Sequence, residues 1–187
     1  MKYVTSFFST VFAVSAGLWL LPQTVGNAVT LRDGTIAFTE PPRLVSATTP
    51  YNDTNTWDTT YYFTLEVPAT AGEPLQQVTF NQIQGIEQIQ FNHQDTFAFE
   101  GTRDRQGTKL ALNNVTIDQK QQTVTVKFDS PVTPGKTVTI GLRTFRNPTG
   151  EGVYLFGVTA FPVGQKTVGQ YLGTGRLQFY SDTSSGN

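Results

Sequence analysis

Several short runs of this chain alternate apolar and polar residues with a period of two, and no convincing long helical period follows residue 28. "TYYFTLEV" puts Tyr61, Phe63, Leu65 and Val67 on one side and Tyr62, Thr64 and Glu66 on the other. "TVTVKFD" sets Val124, Val126 and Phe128 against Thr123, Thr125 and Lys127, and "KTVTIGLR" sets Val138, Ile140 and Leu142 against Thr137, Thr139, Gly141 and Arg143. "QQVTFNQI" contributes Val78 and Phe80, "RLQFY" contributes Leu177 and Phe179, and "RLVSAT" is a shorter run of the same kind. Side chains of a strand point to alternate faces, so each run is a strand with one face in a core. Their Val, Thr, Phe and Tyr content suits a pleated, half-buried surface. "PATAGEPL", "SPVTPGK", "RNPTGEG" and "LRDGT" supply turn chemistry between them. Strands repeating at about 8–12 residues predict an all-β fold, an antiparallel immunoglobulin-like β-sandwich, with a closed barrel as the alternative.

One run breaks the alternation. In "LRTFRNPTGEGVYLFGVTAFP" a turn with two arginines leads into a segment apolar on both parities. Val153, Leu155, Gly157, Thr159 and Phe161 share one side, while Tyr154, Phe156, Val158 and Ala160 share the other. Such a strand is covered on both faces or presents an apolar patch. Gln84 to Lys109 is the expected cover. It is more polar and less regular, and reads as a short strand around Ile89 and Phe91 followed by a long ordered loop with room for one helical turn, carrying Phe97 and Phe99.

The N-terminus has the pattern of an export signal. Lys2 precedes a largely apolar Val4 to Leu21, and small residues at Gly26 and Ala28 form a cleavage-like site. The expected organisation is a signal peptide over 1–28, a β-sandwich domain over 29–180 and a disordered tail over 181–187. An uncleaved anchor is the alternative, and cleavage would leave no membrane span. Of the thirteen lysines and arginines one is Lys2, so the remainder carries twelve against fourteen acidic residues. A nearly neutral domain lacks the basic surplus that nucleic acid binding rests on. The chain has no cysteine, which removes disulfides, thiolate metal sites and thiol nucleophiles.

Catalytic signals are sparse. His93 is the single histidine, in a polar setting, and no Gly-x-Ser-x-Gly elbow follows the signal segment. No metal-ligand spacing occurs around His93, Asp95 and Asp104, so neither a metal nor a cofactor is expected. Carboxylate-dependent hydrolysis of envelope polymers stays open as an alternative, because paired acids meet only in the fold. Arg103 and Arg105 alternate with Asp104 in a locally neutral loop. Arg143 and Arg146 flank "TF" before Asn147-Pro148, where they either grip an anion or pair with Glu151 and the turn's carbonyls. The candidate ligand- or partner-binding residues are therefore Arg143, Arg146, Asn147, Tyr154 and Phe156, with Trp57 as a further stacking surface.

"DGTIAFTEPPRLV", "YYFTLEVPATAGEPLQQVTFNQIQG", "FAFEGTRDRQG" and "FRNPTGEGVYLFGVTAFPVG…YLGTGRLQFY" together resemble a cyanobacterial family of secreted proteins whose domain has no assigned activity. The resemblance implies an exported, β-rich domain and carries no catalytic residues. The expected function is a non-enzymatic periplasmic or extracellular envelope domain, structural or binding an envelope protein. The alternative partner is a glycan or small ligand.

Overall fold

The computed structural model describes residues 29–31 and 33–181. The predicted signal segment 1–28 and all but Ser181 of the predicted tail lie outside the described residues. The chain opens with a small ribbon, β1 (Val29–Thr30) and β2 (Ile36–Ala37). It continues through β3 (Arg43–Thr48), β4 (Thr60–Glu66), β5 (Leu75–Gln84), β6 (Phe91–Thr102) and β7 (Arg105–Leu110). Then follow β8 (Leu112–Asp118), β9 (Thr123–Val132), β10 (Thr137–Thr144), β11 (Gly152–Pro162) and β12 (Gln170–Phe179).

Two five-stranded antiparallel sheets, ordered β3-β4-β10-β6-β7 and β12-β11-β5-β9-β8, face one another as the immunoglobulin-like sandwich that the period-two runs predict. Among the described residues no ladder joins one sheet to the other, so they form a sandwich and not a closed barrel. The predicted inward residues of β4 and β10 are buried: Tyr61, Phe63, Leu65, Val138, Ile140 and Leu142. Val78, Phe80, Val124, Val126, Phe128, Leu177 and Phe179 meet them from the second sheet. Phe63 packs on Phe80 across the interface at 4.6 Å between ring centroids.

Two expectations fail here. Gln84 to Lys109 is not a loop. Its first residue ends β5, and most of the remainder is the β6–β7 hairpin, with no helical turn among the described residues. The residues mislead because the alternation along β6 is inverted. Small Ala98 and Thr96 point into the core, while Phe97 shares the outward face with its ladder partner Gly141 and with Tyr62 beyond it. The absence of a side chain on Gly141 makes room for the Phe97 ring, since a Cβ there would stand 2.6 Å from Phe97 Cζ. Phe97 stacks on Phe99 and meets Tyr62 edge-on, so these rings cover one another on the outer face of the first sheet.

The cover of β11 is accordingly something else. Its inner parity, Tyr154, Phe156, Val158 and Ala160, is buried against the opposing sheet. Its outer parity is half-buried beneath neighbouring side chains: a Cβ on Gly157 would lie 3.2 Å from the Tyr171 ring and 3.6 Å from Ile83, while Gly169 passes close over the Phe161 ring.

Candidate functional site

Antiparallel pairing brings three connections to one end of the sandwich: 49–59 between β3 and β4, 85–90 between β5 and β6, and 145–151 between β10 and β11. Tyr180, just past β12, joins them through an isolated bridge to Asp53. Backbone hydrogen bonds tie the loops together: Asp58 N donates to Phe145 O at 2.9 Å, Asn147 N to Thr56 O at 2.8 Å, and Phe145 N to Gln90 O at 3.1 Å. Asn55 and Asp58 adopt left-handed backbone, which these residue types tolerate best among side-chain-bearing residues, so the 49–59 loop can fold back on itself.

Asn147 is the centre of this junction and is buried. Its Oδ1 accepts from the Tyr61 hydroxyl at 3.0 Å, and its Nδ2 donates to Tyr51 O at 3.0 Å and Asp53 O at 2.8 Å. The side chain is thus consumed in joining the turn to the 49–59 loop. Burial pushes the Tyr61 phenol far above its ordinary range, with the nearby Tyr154 ring and Glu87 charge adding to it. Tyr61 therefore remains a neutral donor to Asn147.

Arg143 is also committed. Its guanidinium grips Asp58 with two hydrogen bonds, the Nε–Oδ1 distance being 2.7 Å and the second running from NH2 to Oδ2, and NH1 reaches Thr60 Oγ1 at 3.1 Å. The pair holds the Asp58 carboxyl below its ordinary value and raises Arg143. Glu151, the partner anticipated from sequence, instead accepts from Ser181.

Glu87 plays an analogous part from the 85–90 loop. Its Oε1 accepts from Thr149 N, from Thr149 Oγ1 at 2.9 Å and from Gly150 N at 3.2 Å. Burial alone would raise its carboxyl, but these hydrogen bonds and the Arg146 charge outweigh that and hold it below the ordinary value.

Tyr154 and Phe156 lie beneath this end, 0% and 1% exposed, and a ligand reaches neither while the sheets stay together. Tyr154 spends its hydroxyl on Gly150 O at 3.1 Å, and Phe156 packs edge-on against Tyr61, Phe63 and Phe91. The exposed groups are others. Trp57 is 71% exposed, Ile86 75% and Phe145 52%. Arg146 lies over the Trp57 ring, 5.4 Å from its centroid, and the two residues form an antiparallel bridge. Between Trp57, the 85–90 loop and Phe145 runs an open groove of about 380 Å³. Of the residues picked from sequence, Arg146 and Trp57 are therefore brought together at the surface. Phe145 and Ile86 went unnoticed, although Phe145 stands on the same parity as Arg143 and so on the outward side.

Of the carboxyls at this end, Asp58, Glu87 and Glu151 are held below their ordinary values by the hydrogen bonds they accept. Among the described residues no group of three or more His, Cys, Asp and Glu is placed to hold a metal, and no helix is long and apolar enough to cross a membrane.

The fold and this end together define a cysteine-free antiparallel sandwich with aromatic side chains presented from its connecting loops. The chain belongs to the family described as "Protein of unknown function (DUF2808)", whose profile matches residues 35–179. No curated protein matches it. Among solved structures it is similar to BslA, described as a bacterial hydrophobin, at 16% identity and a TM-score of 0.47, with 78% of this chain and 98% of that one covered. It is also similar to a collagen-binding domain from a Staphylococcus aureus adhesin, at 9% identity and a TM-score of 0.39, covering 73% of this chain and 96% of that one. A third, AvmM, described as catalysing macrocyclization in alchivemycin A biosynthesis, has 9% identity and a TM-score of 0.36 over 82% of this chain and 96% of that one. Similarity this remote says nothing about activity.

Proposed function

We propose that this chain is a non-enzymatic binding domain of the cell envelope, exported by its first 28 residues, and that it makes contact through the loop end around Trp57. The observation that carries this reading is the exposed Trp57, stacked by Arg146 and set beside exposed Phe145 and Ile86. Large exposed aromatics gathered at one place mark recognition surfaces more often than scattered single residues do. Arg146 is the contact residue among the arginines. Arg143 and Asn147 act by holding the loops, and Tyr154 and Phe156 support them from the core.

Sedimentation of the full chain with isolated envelopes of the producing cells tests the reading. The wild type is expected to sediment, and a Trp57→Ala, Arg146→Ala double variant to remain in the supernatant with unchanged thermal unfolding. Equal sedimentation of the two proteins would exclude this end as the contact surface.

A further inference from the structure

The groove at Trp57 does not stop at Phe145. Beside that ring lies a small cavity of about 60 Å³, bordered by Ile89, Phe91 and Ile117 and by the amide side chains Gln88, Gln119 and Gln122. Phe91, Ile117, Gln119 and Phe145 also border an open depression of about 490 Å³ that reaches His93 and Val115. The three hollows adjoin one another around Phe145, which borders all of them, and make a trough of neighbouring depressions along the flank where β8 of one sheet meets β6 of the other. β7 pairs with only the Ala98–Thr102 part of β6, which leaves this flank uncovered.

Of the ionisable groups along the trough, Glu87 is taken up by the 149–150 backbone and Thr149, and Asp118 by Lys120 N and Gln121 N. Arg146 lies over the Trp57 ring with its N–H donors free among the described residues, and His93 stands at the opposite end. The amides of Gln90, Gln119 and Gln122 are exposed and make no side-chain hydrogen bond among the described residues, and Gln88 uses only its Nε2, on Gln119 O at 2.7 Å. Each free amide offers both donors and an acceptor. The walls therefore present aromatic and aliphatic faces bordered mostly by uncharged donors and acceptors, with the Arg146 guanidinium at the Trp57 end.

Size decides what such walls hold. Clefts and cavities for compact ligands measure about 300–1,000 Å³; the two hollows of about 380 and 490 Å³ reach that range but are open, and the more sheltered one is only about 60 Å³. A lipid chain or compact apolar molecule has no enclosed seat here. An extended molecule lying along the open trough does, provided it presents apolar C–H faces to rings and hydroxyls to amides.

The geometry points to a neutral glycan chain as the ligand, running from Trp57 past Phe145 to the Gln119 side, with Gln90, Gln119 and Gln122 binding its hydroxyls. This rests on the reading that the Trp57 end contacts the envelope, and names the chemistry it contacts.

The test uses the full chain and isolated envelopes that are untreated, protease-digested, or oxidised with periodate, which cleaves the vicinal diols of sugars. Sedimentation is expected to survive protease and about 1 M salt, where charges are screened beyond about 3 Å, and to be lost after periodate. Phe145→Ala and Gln90→Ala, Gln119→Ala variants with wild-type thermal unfolding are expected to bind about tenfold more weakly, the scale of a lost anchor contact. Trp57-dependent binding that resists periodate, or is lost to protease or salt, overturns the neutral glycan while leaving the envelope reading intact. Wild-type affinity in both variants overturns the trough. Absence of any Trp57-dependent sedimentation removes the broader reading and the glycan with it.

Discussion

Replacing Asn147 with alanine is expected to cost about 2–6 kcal/mol, because it strands a buried hydroxyl and cuts two loop tethers together. The Tyr61 side chain is 0% exposed and donates to Asn147 Oδ1, so its hydroxyl loses its acceptor where no bulk water reaches. A buried polar group left unsatisfied costs about 1–3 kcal/mol. The other two hydrogen bonds end on carbonyls of the exposed Tyr51 and Asp53, which water can reach, and are worth about 0.5–1.5 kcal/mol each. Thr144 neighbours the Tyr61 phenol and offers it a partial substitute, which sets the lower end of the range. For a domain of this size about 3 kcal/mol corresponds to a fall in Tm of about 6–12 °C. Urea and thermal unfolding of wild type, Asn147→Ala, Tyr61→Phe and the double variant supply the measurement. The double variant should be less damaged than the two single losses combined, by about 1 kcal/mol, because without the hydroxyl nothing is stranded. A cost for Asn147→Ala below about 1 kcal/mol, or strict additivity, would refute the claim that this amide holds the end together.

Gly141→Ala should cost about 1–3 kcal/mol by forcing the Phe97 ring off Tyr62, and Phe97→Ala in the same chain should relieve part of that loss in denaturant unfolding. Phe156→Ala, which removes a ring packed against Tyr61, Phe63 and Phe91, should cost about 3–5 kcal/mol by thermal unfolding. Glu87 has a folded value depressed below its ordinary 4.5, so its contribution to stability is complete above that pH and fades as pH falls through the folded value. Glu87→Gln should therefore flatten the pH dependence of urea midpoints below about pH 4.5 and leave the slope at neutral pH unchanged. Trp57→Ala should shift stability by no more than about 0.5 kcal/mol, since the indole is mostly in water, while abolishing envelope sedimentation.

How far the sequence reveals this molecule depends on whether a side chain's parity agrees with its polarity. Along β4, β9 and β10 the two agree: Tyr61, Phe63, Val124, Val126 and Ile140 are apolar and inward, and periodicity alone finds them. β6 defeats the same reasoning past its register shift: Phe91 is inward, but beyond it the inward side is Thr96 and Ala98. Phe97 and Phe99 sit outside, Phe97 in a space created by Gly141 on another strand, and nothing within Gln84 to Lys109 encodes that glycine. The loop end is hidden for a related reason. Trp57, Ile86 and Phe145 come from three connections far apart in sequence, joined through Asn147 and Glu87, whose buried or turn-capping roles appear only in the fold.

One sequence signal survives, namely a large apolar residue on the parity of polar neighbours. Tyr62, Ile83, Phe97 and Phe145 all carry it. Such a residue is either roofed by other parts of the chain or left in water. Tyr62 and Phe97 roof one another with Arg103 lying over Tyr62. Ile83, half in water, lends its inner side to the cover of β11 beside Tyr171. Phe145 has no such roof and borders the trough, next to Trp57, whose ring is 71% exposed with Arg146 lying over it. With Phe145 52% exposed, half of the roughly 1.5–3 kcal/mol that full burial of such a side chain gives is forgone. Packing accounts for the covered half of the ring, and the exposed half is what the proposed contact surface uses.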